Sequence, residues 1–242
     1  FFLENKPKDE CGIFGVSNDQ NAGNLVALGL HALQHRGQDS TGIVTSDKNN
    51  FYAHRGMGQV SEVFSNKELL NTLKGSMSIG HNRYGTTGES ALKNVQPLFS
   101  ELSVGGVAIA HNGNLTNTHQ LKEKLIKSGS IFQSTSDTEV ILHLLSTASG
   151  TLLERLTYAL NSISGAYSLL IMTNSKLIGV RDPFGIRPLV LGKLGDSYVL
   201  SSESCGLDII GAQLIRDVEP GEILIIQNNK VKSIKPFKRT QL

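Results

Sequence analysis

Between residues 166 and 226 the chain carries five short apolar runs, at 166–172, 177–180, 188–191, 198–201 and 222–226. Turn signals separate them: Thr173-Asn174-Ser175, Asp182-Pro183-Phe184-Gly185, Gly195-Asp196 and Glu219-Pro220-Gly221. Runs this short, apolar nearly throughout and punctuated in this way read as strands buried on both faces. A sheet of such strands needs a cover on each side. Two helical blocks earlier in the chain are available to supply it.

The first block is 22–34, with Leu25, Leu28, Leu30 and Leu33 as its apolar face and Gly37 as its stop. The second comprises 117–127, which ends before Gly129, a helix opened by Ser136-Asp137-Thr138-Glu139, and 152–163. Ser65-Asn66-Lys67-Glu68 and Ser136-Asp137-Thr138-Glu139 both have the spacing of a capping box. Further buried strands are expected at 11–16, 77–79 and 105–110. The pattern predicts an α+β fold, a four-layer αββα sandwich in a single domain. No repeat, low-complexity tract or Gly/Ser linker divides it.

Composition narrows the function. Net charge is +2, from 23 Lys+Arg against 21 Asp+Glu, so nothing argues for a nucleic-acid or membrane surface. The basic stretch from Lys230 to Arg239 alternates like an exposed strand running into a tail. Cys11 and Cys205 stand far apart and form no disulfide framework or zinc signature, which points to a reducing, cytoplasmic setting. The seven histidines form no ligand cluster in sequence, and no metal is expected in this domain. No apolar run reaches the roughly 18 residues of a membrane span. Nucleotide-loop, zinc-protease and serine-elbow motifs are absent. Ser90-Ala91-Leu92-Lys93 matches one box of the penicillin-binding enzymes without its partners.

Cys11 opens a strand behind a ten-residue leader. Alone it reads as a small core residue. Exposed as a chain terminus, it would sit beside an α-amine of pKa about 8, close to the thiol's own value of about 8.5, so the amine could serve as its base. Three further segments bear on the choice. Arg83, where a strand opens into Gly80-His81-Asn82-Arg83-Tyr84-Gly85-Thr86, suits either an ion pair or a carboxylate clamp. Asn112-Gly113 reads as a hairpin turn or as two donors for an oxyanion. Asp137 reads as a helix cap, or, with Ser136 capping, as an acceptor for an ammonium group. Nucleophile, oxyanion donors, carboxylate clamp and ammonium acceptor together suit an amino acid with an amide side chain, and glutamine fits.

The runs Cys11-Gly12-Ile13-Phe14-Gly15-Val16, His35-Arg36-Gly37-Gln38-Asp39-Ser40-Thr41-Gly42, Gly80 to Thr86, His111-Asn112-Gly113-Asn114-Leu115 and Ser136 to Glu139 resemble the class II glutamine amidotransferases. The resemblance covers the chain from Cys11 to about Gln227. It implies an N-terminal-nucleophile hydrolase fold, Cys11 as nucleophile, and Asn112 and Gly113 as the oxyanion hole. It also implies Arg83 on the glutamine α-carboxylate, Asp137 on its α-ammonium, Tyr84 and Thr86 lining the pocket, and Arg36 and Gly37 on a supporting loop. Leu33-Gln34-His35-Arg36-Gly37-Gln38 and Asp182 to Leu189 resemble the branch that carries a phosphoribosyltransferase half and opens purine biosynthesis. They depart from the aminosugar-forming branch, which remains the alternative beside an unprocessed, non-catalytic glutamine-binding module. On this resemblance residues 1–10 form a propeptide and residues 11–242 the glutaminase domain. The phosphoribosyltransferase domain, with its magnesium and, in some members, an iron–sulfur cluster, lies outside this chain. The full enzyme would be a homo-oligomer. Cys205 is expected to be a buried packing residue, and the Asp182 turn structural.

Overall fold

The computed structural model describes residues 11–85 and 91–237. The leader 1–10, Thr86 and the end of the basic tail lie outside the described residues. In chain order the structure forms β1 (Gly12–Ser17), α1 (Ala22–Ala32), β2 (Ser40–Ser46), β3 (Phe51–Met57), α2 (Val60–Val63), α3 (Lys67–Thr72) and β4 (Met77–Arg83). There follow β5 (Leu98–Leu102), β6 (Gly105–Leu115), α4 (Thr118–Lys127), α5 (Thr138–Thr147) and α6 (Leu152–Ser162). The remaining elements are β7 (Gly165–Met172), β8 (Leu177–Arg181), β9 (Val190–Leu194), β10 (Ser197–Ser201), α7 (Cys205–Asp208), β11 (Gln213–Asp217), β12 (Ile223–Gln227) and β13 (Lys230–Ile234).

The strands make two antiparallel sheets, ordered β11-β9-β10-β1-β4-β2-β3 and β13-β12-β8-β7-β6-β5. Three separate apolar cores define four layers. Ile13, Val44, Ile79, Ala108, Ala110, Leu170 and Leu200 pack between the sheets. Phe14, Val16, Val26, Leu30, Ile43 and Leu207 fill the space between the first sheet and its helices. Val107, Ile109, Ile141, Leu145, Leu156 and Leu169 do the same between the second sheet and α5 and α6. Ile13 and Phe14, or Val107 and Ala108, are sequence neighbours in different cores, as alternation along a strand requires. Both faces of the central strands are therefore apolar, which is why they read as continuous runs. The expected αββα sandwich is the observed architecture. Among the described residues no helix is long and apolar enough to cross a membrane.

Several local expectations change. β2, β3 and β11 are strands that the turn-rich sequence around them concealed. On α1 the buried face is Ala22, Gly23, Val26, Ala27, Gly29 and Leu30, while Leu28 is 47% exposed. The small residues face inward because the helix lies close on the sheet. The cap of α3 is Asn66, whose side chain accepts from Glu68 N–H, rather than Ser65. Glu139 does not close a box with Ser136; its carboxylate accepts from the N–H groups of Gln133 and Ser134 and so ties down the loop before α5. Reciprocal boxes form instead at Gln59/Glu62 and Thr151/Glu154. β6 runs on through Asn112-Gly113, so that pair is part of a strand and no hairpin turn.

Gly29 sets the approach of α1. A Cβ there would stand 2.5 Å from three carbons of the fully buried Phe14 ring. Alanine favours a helix over glycine by about 1 kcal/mol, but overpacking a core commonly costs about 1–3 kcal/mol. Gly29→Ala is therefore expected to lower stability, seen as a lower urea midpoint with an unchanged denaturant slope. A raised midpoint would show that the helix-to-sheet spacing is loose.

Candidate active site

Cys11 immediately precedes β1 and is buried, with a left-handed backbone at φ 46°. For a residue with a side chain this conformation costs about 1–3 kcal/mol and persists only where its surroundings fix it. One fixing contact is identified: the Arg36 Nε–H donates to the Cys11 carbonyl at 2.7 Å. The same guanidinium pairs with Glu203 through its NH1 nitrogen. Arg36 itself is buried at the end of a tight 3-10 turn, Gln34–Arg36, that leaves α1. Gly37 follows with extended backbone, and a Cβ on it would lie 2.6 Å from the Arg83 carbonyl carbon. Glycine is thus needed for close approach. The supporting loop rests directly on the strand that carries Arg83.

β1 pairs with β4 with Gly12 opposite Asn82, so Cys11 falls beside Arg83. Arg83 is 5% exposed at the end of β4, and Tyr84, next along, is 38% exposed. Ala108 and Ala110 of β6 belong to the core between the sheets, and Asn112, two residues on, faces the same layer. His81 Nε2 lies 3.1 Å from the His111 carbonyl and links β4 to β6 there. A carbonyl only accepts, so His81 carries its proton on Nε2. Complete burial pushes the His81 pKa down to about 3, and the ring is neutral. Cys11, Arg83 and Asn112 are in this way brought to one end of the inter-sheet layer.

An open row of N–H groups arises from a strand that outruns its neighbour. β5 begins at Leu98, opposite Ile109, and does not accompany β6 beyond that point. Along the edge of β6 turned away from β7, the His111 N–H donates to Gln96 Oε1 at 2.8 Å and the Leu115 N–H to Asp137 Oδ2 at 3.0 Å. Gly113 stands between them on that edge and offers the next N–H. It has φ 144°, and a Cβ would come 2.1 Å from the Ala166 carbonyl oxygen, so only glycine fits. Asn112 is fully buried, and neither polar atom of its amide has a hydrogen-bond partner among the described residues. Ser168, opposite Asn112 on β7, likewise has a buried, unpartnered hydroxyl among the described residues.

Asp137 caps the start of α5 and is 8% exposed. Burial alone would raise its pKa. The charge and hydrogen bond of His111, with the N–H groups of Leu115 and Thr138, outweigh burial and hold the carboxyl below its ordinary range. His111 Nδ1 lies 3.5 Å from Asp137 Oδ1 and 3.2 Å from Thr138 Oγ1. Ser136 takes part of the capping work, its hydroxyl accepting from Thr138 N–H at 3.3 Å. Both Asp137 oxygens thus have neighbours in the fold, Oδ2 on the Leu115 N–H and Oδ1 beside His111 Nδ1.

Sequence reasoning passed over His81, His111, Gln96, Ser168 and Glu203, whose partners are distant in sequence; His35 and Glu203 stand 168 residues apart. Cys205 is only half-buried, at the start of α7, with its Sγ 3.7 Å from Glu203 Oε2. Burial, with the Glu203 charge beside it, pushes its thiol pKa up, a poor setting for a nucleophile. The Asp182 turn is structural: its carboxylate accepts from the N–H groups of Phe184, Ile186 and Arg187. Two cysteines cannot supply the four thiolates of an iron–sulfur cluster, so the residues present do not fit one.

The family described as glutamine amidotransferase domain matches residues 81–208, more than half of the 242-residue chain. The chain is 54% identical over 220 residues to the amidophosphoribosyltransferase of Rhizobium etli, covering 90% of this chain and 44% of that protein. It is 48% identical over 227 residues to the Bacillus subtilis amidophosphoribosyltransferase, covering 93% of this chain and 48% of that one. The solved B. subtilis glutamine phosphoribosylpyrophosphate amidotransferase, complexed with ADP and GMP, superposes with a TM-score of 0.89 at 45% identity. The match covers 94% of this chain and 49% of that structure. The chain thus spans about half the length of the relatives it matches. The sandwich shared with that enzyme is the N-terminal-nucleophile hydrolase fold. The chain belongs to the glutamine amidotransferase domain family.

Proposed function

We propose that this chain is the glutaminase half of an amidophosphoribosyltransferase, releasing ammonia from glutamine through a thioester on Cys11. The observation that carries the reading is the Asn112 amide, buried and unpartnered among the described residues beside the edge N–H of Gly113. A buried polar group without a partner costs about 1–3 kcal/mol. Such a cost is readily understood if a substrate oxygen completes the group during turnover.

The reaction runs as follows on this reading. Arg83 holds the glutamine α-carboxylate in a two-point fork and Asp137 receives the α-ammonium, with Tyr84 at the mouth. Thr86, assigned to the same pocket, lies outside the described residues. The Cys11 α-amine takes the thiol proton, and the sulfur attacks the side-chain carbonyl carbon. Negative charge develops on the oxygen between Asn112 Nδ2 and Gly113 N–H. Collapse expels ammonia, which takes its proton from the α-ammonium, and leaves a γ-glutamyl thioester. Water, deprotonated by the amine, adds to the thioester, and glutamate departs as the thiol is restored. Arg36 and Gly37 hold the Cys11 carbonyl and the Arg83 strand in place.

The partner implied is a phosphoribosyltransferase domain that spends the ammonia on phosphoribosyl pyrophosphate. Magnesium, and in some family members an iron–sulfur cluster, belong to that half, as does assembly into a homo-oligomer. Two cysteines that form no disulfide suit a cytoplasmic site. The mechanism requires a free α-amine, so residues 1–10 act as a propeptide removed between Glu10 and Cys11.

Cys11→Ser is expected to lower glutamine turnover about 10³-fold or more, with circular dichroism unchanged. Protein beginning at Cys11 should be active, and verified uncleaved protein inactive. Comparable activity per mole of the two forms would remove the amine from the mechanism. Asn112→Ala is expected to reduce kcat about 10²- to 10³-fold with KM for glutamine little altered; a pure KM effect would move Asn112 out of the oxyanion hole.

Arg83→Lys and Asp137→Asn should each weaken kcat/KM for glutamine, by about 2–5 kcal/mol for a broken buried charge pair. Because the Asp137 carboxyl is held below its ordinary pKa of 3.8, it stays ionised throughout the range above that value. The contribution of its charge is present there and is lost only as the pH falls through the depressed pKa. The acid limb of kcat/KM near pH about 8 then belongs to the Cys11 amine. Asp137→Asn should lower the whole profile without moving that limb. A displaced limb would assign the titration to the Asp137 network.

A further inference from the structure

Behind the supporting loop, His35, Glu203 and Cys205 come together across 168 residues of sequence. Their donor atoms, an imidazole nitrogen, a carboxylate oxygen and the thiol sulfur, all lie within 4.8 Å of one another. His35 Nε2 stands 3.0 Å from Glu203 Oε2, and Cys205 Sγ 3.7 Å from the same oxygen. A tetrahedral zinc ion bonds nitrogen and oxygen at about 2.0–2.2 Å and sulfur at about 2.3 Å, which sets neighbouring ligand atoms roughly 3.3–3.8 Å apart. The two spacings from Glu203 Oε2 are close to that range before any adjustment.

The histidine is oriented in a way that suits ligation. His35 Nδ1 lies 3.2 Å from the Ala32 carbonyl, and its Nε2 faces a carboxylate. Both neighbours accept, yet a neutral imidazole carries one N–H. With Nδ1 donating to the carbonyl, the Nε2 lone pair can be offered to a cation shared with Glu203. A ring with one nitrogen on a backbone carbonyl and the other on a metal is the usual arrangement of a ligating histidine. His35 is exposed and its two partners half-buried, so an ion can enter from solvent.

We propose that His35, Glu203 and Cys205 form a binding site for a thiophilic divalent cation of the zinc class, with the fourth position open to water. The site is coupled to Cys11. Glu203 Oε2 faces the cation, while Oε1 pairs with Arg36, whose Nε–H holds the Cys11 carbonyl. A bound ion draws charge from the carboxylate, repels the guanidinium and loosens the hold on the nucleophile. Occupancy therefore lowers glutaminase activity. This last step rests on the proposed glutaminase reading; binding itself does not.

Binding is tested with Co²⁺ as probe, on the full chain carrying Cys11→Ala so that Cys205 is the one thiol present. The expected result is a thiolate-to-cobalt charge-transfer band saturating at one ion per chain. Adding His35→Ala should raise the Kd about tenfold or more. No band at millimolar Co²⁺, or a Kd unmoved by His35→Ala, overturns the site. Coupling is tested with Zn²⁺ on chains that retain Cys11. Cys205→Ser and His35→Ala should keep metal-free turnover and resist zinc that inhibits the unsubstituted chain. Equal inhibition of all three would place the inhibitory ion on Cys11 and overturn the coupling, while leaving the cobalt result to stand or fall on its own.

Discussion

The bond from His81 Nε2 to the His111 carbonyl joins the two sheets at the Cys11 end, where their inner faces turn polar. Elsewhere the inter-sheet layer is held by non-directional apolar packing of residues such as Ile79, Ala110 and Leu170. Packing of that kind fixes a distance between sheets more firmly than it fixes their sliding. A directional bond between β4 and β6 sets the offset of Arg83 relative to Asn112. Burial is what makes this dependable: it holds His81 neutral, with a pKa of about 3. The ring is therefore uncharged at any physiological pH, and the carbonyl facing Nε2 selects the tautomer with its proton there.

A second constraint acts on Cys11 from the other side. Arg36 is buried and always charged, and its planar fork serves the Cys11 carbonyl and Glu203 together. Lysine could not reproduce both contacts at fixed angles. Glu203 follows β10, which pairs with β1, so this clamp ties the start of β1 to its neighbour and to the turn after α1. Cys11 is in this way held in place through its carbonyl. The left-handed backbone at Cys11 is sustained by that clamp.

The layered fold was legible because double burial makes strands such as 166–172 apolar throughout, and because glycines and prolines mark their ends. β2 and β3 were not legible. β2 is buried yet rich in Ser and Thr, with the Thr41 hydroxyl bonded to the His81 carbonyl and Asn82 Oδ1, and β3 at the sheet edge is mostly half-exposed. At the site, Cys11, Arg83, Asn112, Gly113 and Asp137 could be singled out from local chemistry and resemblance. Asn112-Gly113 shows the limit of reading locally: its hairpin-turn alternative failed because β7 pairs with it, a fact that lies some 55 residues away in register with Tyr167 and Ser168. His81, Gln96 and Glu203 were passed over for the same reason. Each acts through a partner contributed by another element, and nothing in its own neighbourhood announces the bond.

The length mismatch between β5 and β6 links fold to function most directly. Had β5 continued, its carbonyls would have met the N–H groups of His111, Gly113 and Leu115, and the sheet would have gained ladder bonds. Instead the edge is left open after Ile109, and the donors are shared out among side chains and, on the proposed reading, substrate. Gln96 takes the first and Asp137 the third. Both are held by other parts of the fold, Asp137 by α5 and Gln96 by the segment entering β5. The donor between them is consequently fixed in place without being consumed, which is the condition for stabilising a charge that exists only transiently. Gly113 allows this because its backbone passes within van der Waals reach of Ala166, where no side chain fits. On the proposed reading Asn112, buried from the β6 face beside it, supplies the second donor from a strand rather than a loop. A strand extended by one element's length beyond its neighbour is thus enough to turn a structural sheet edge into a pair of preorganised donors.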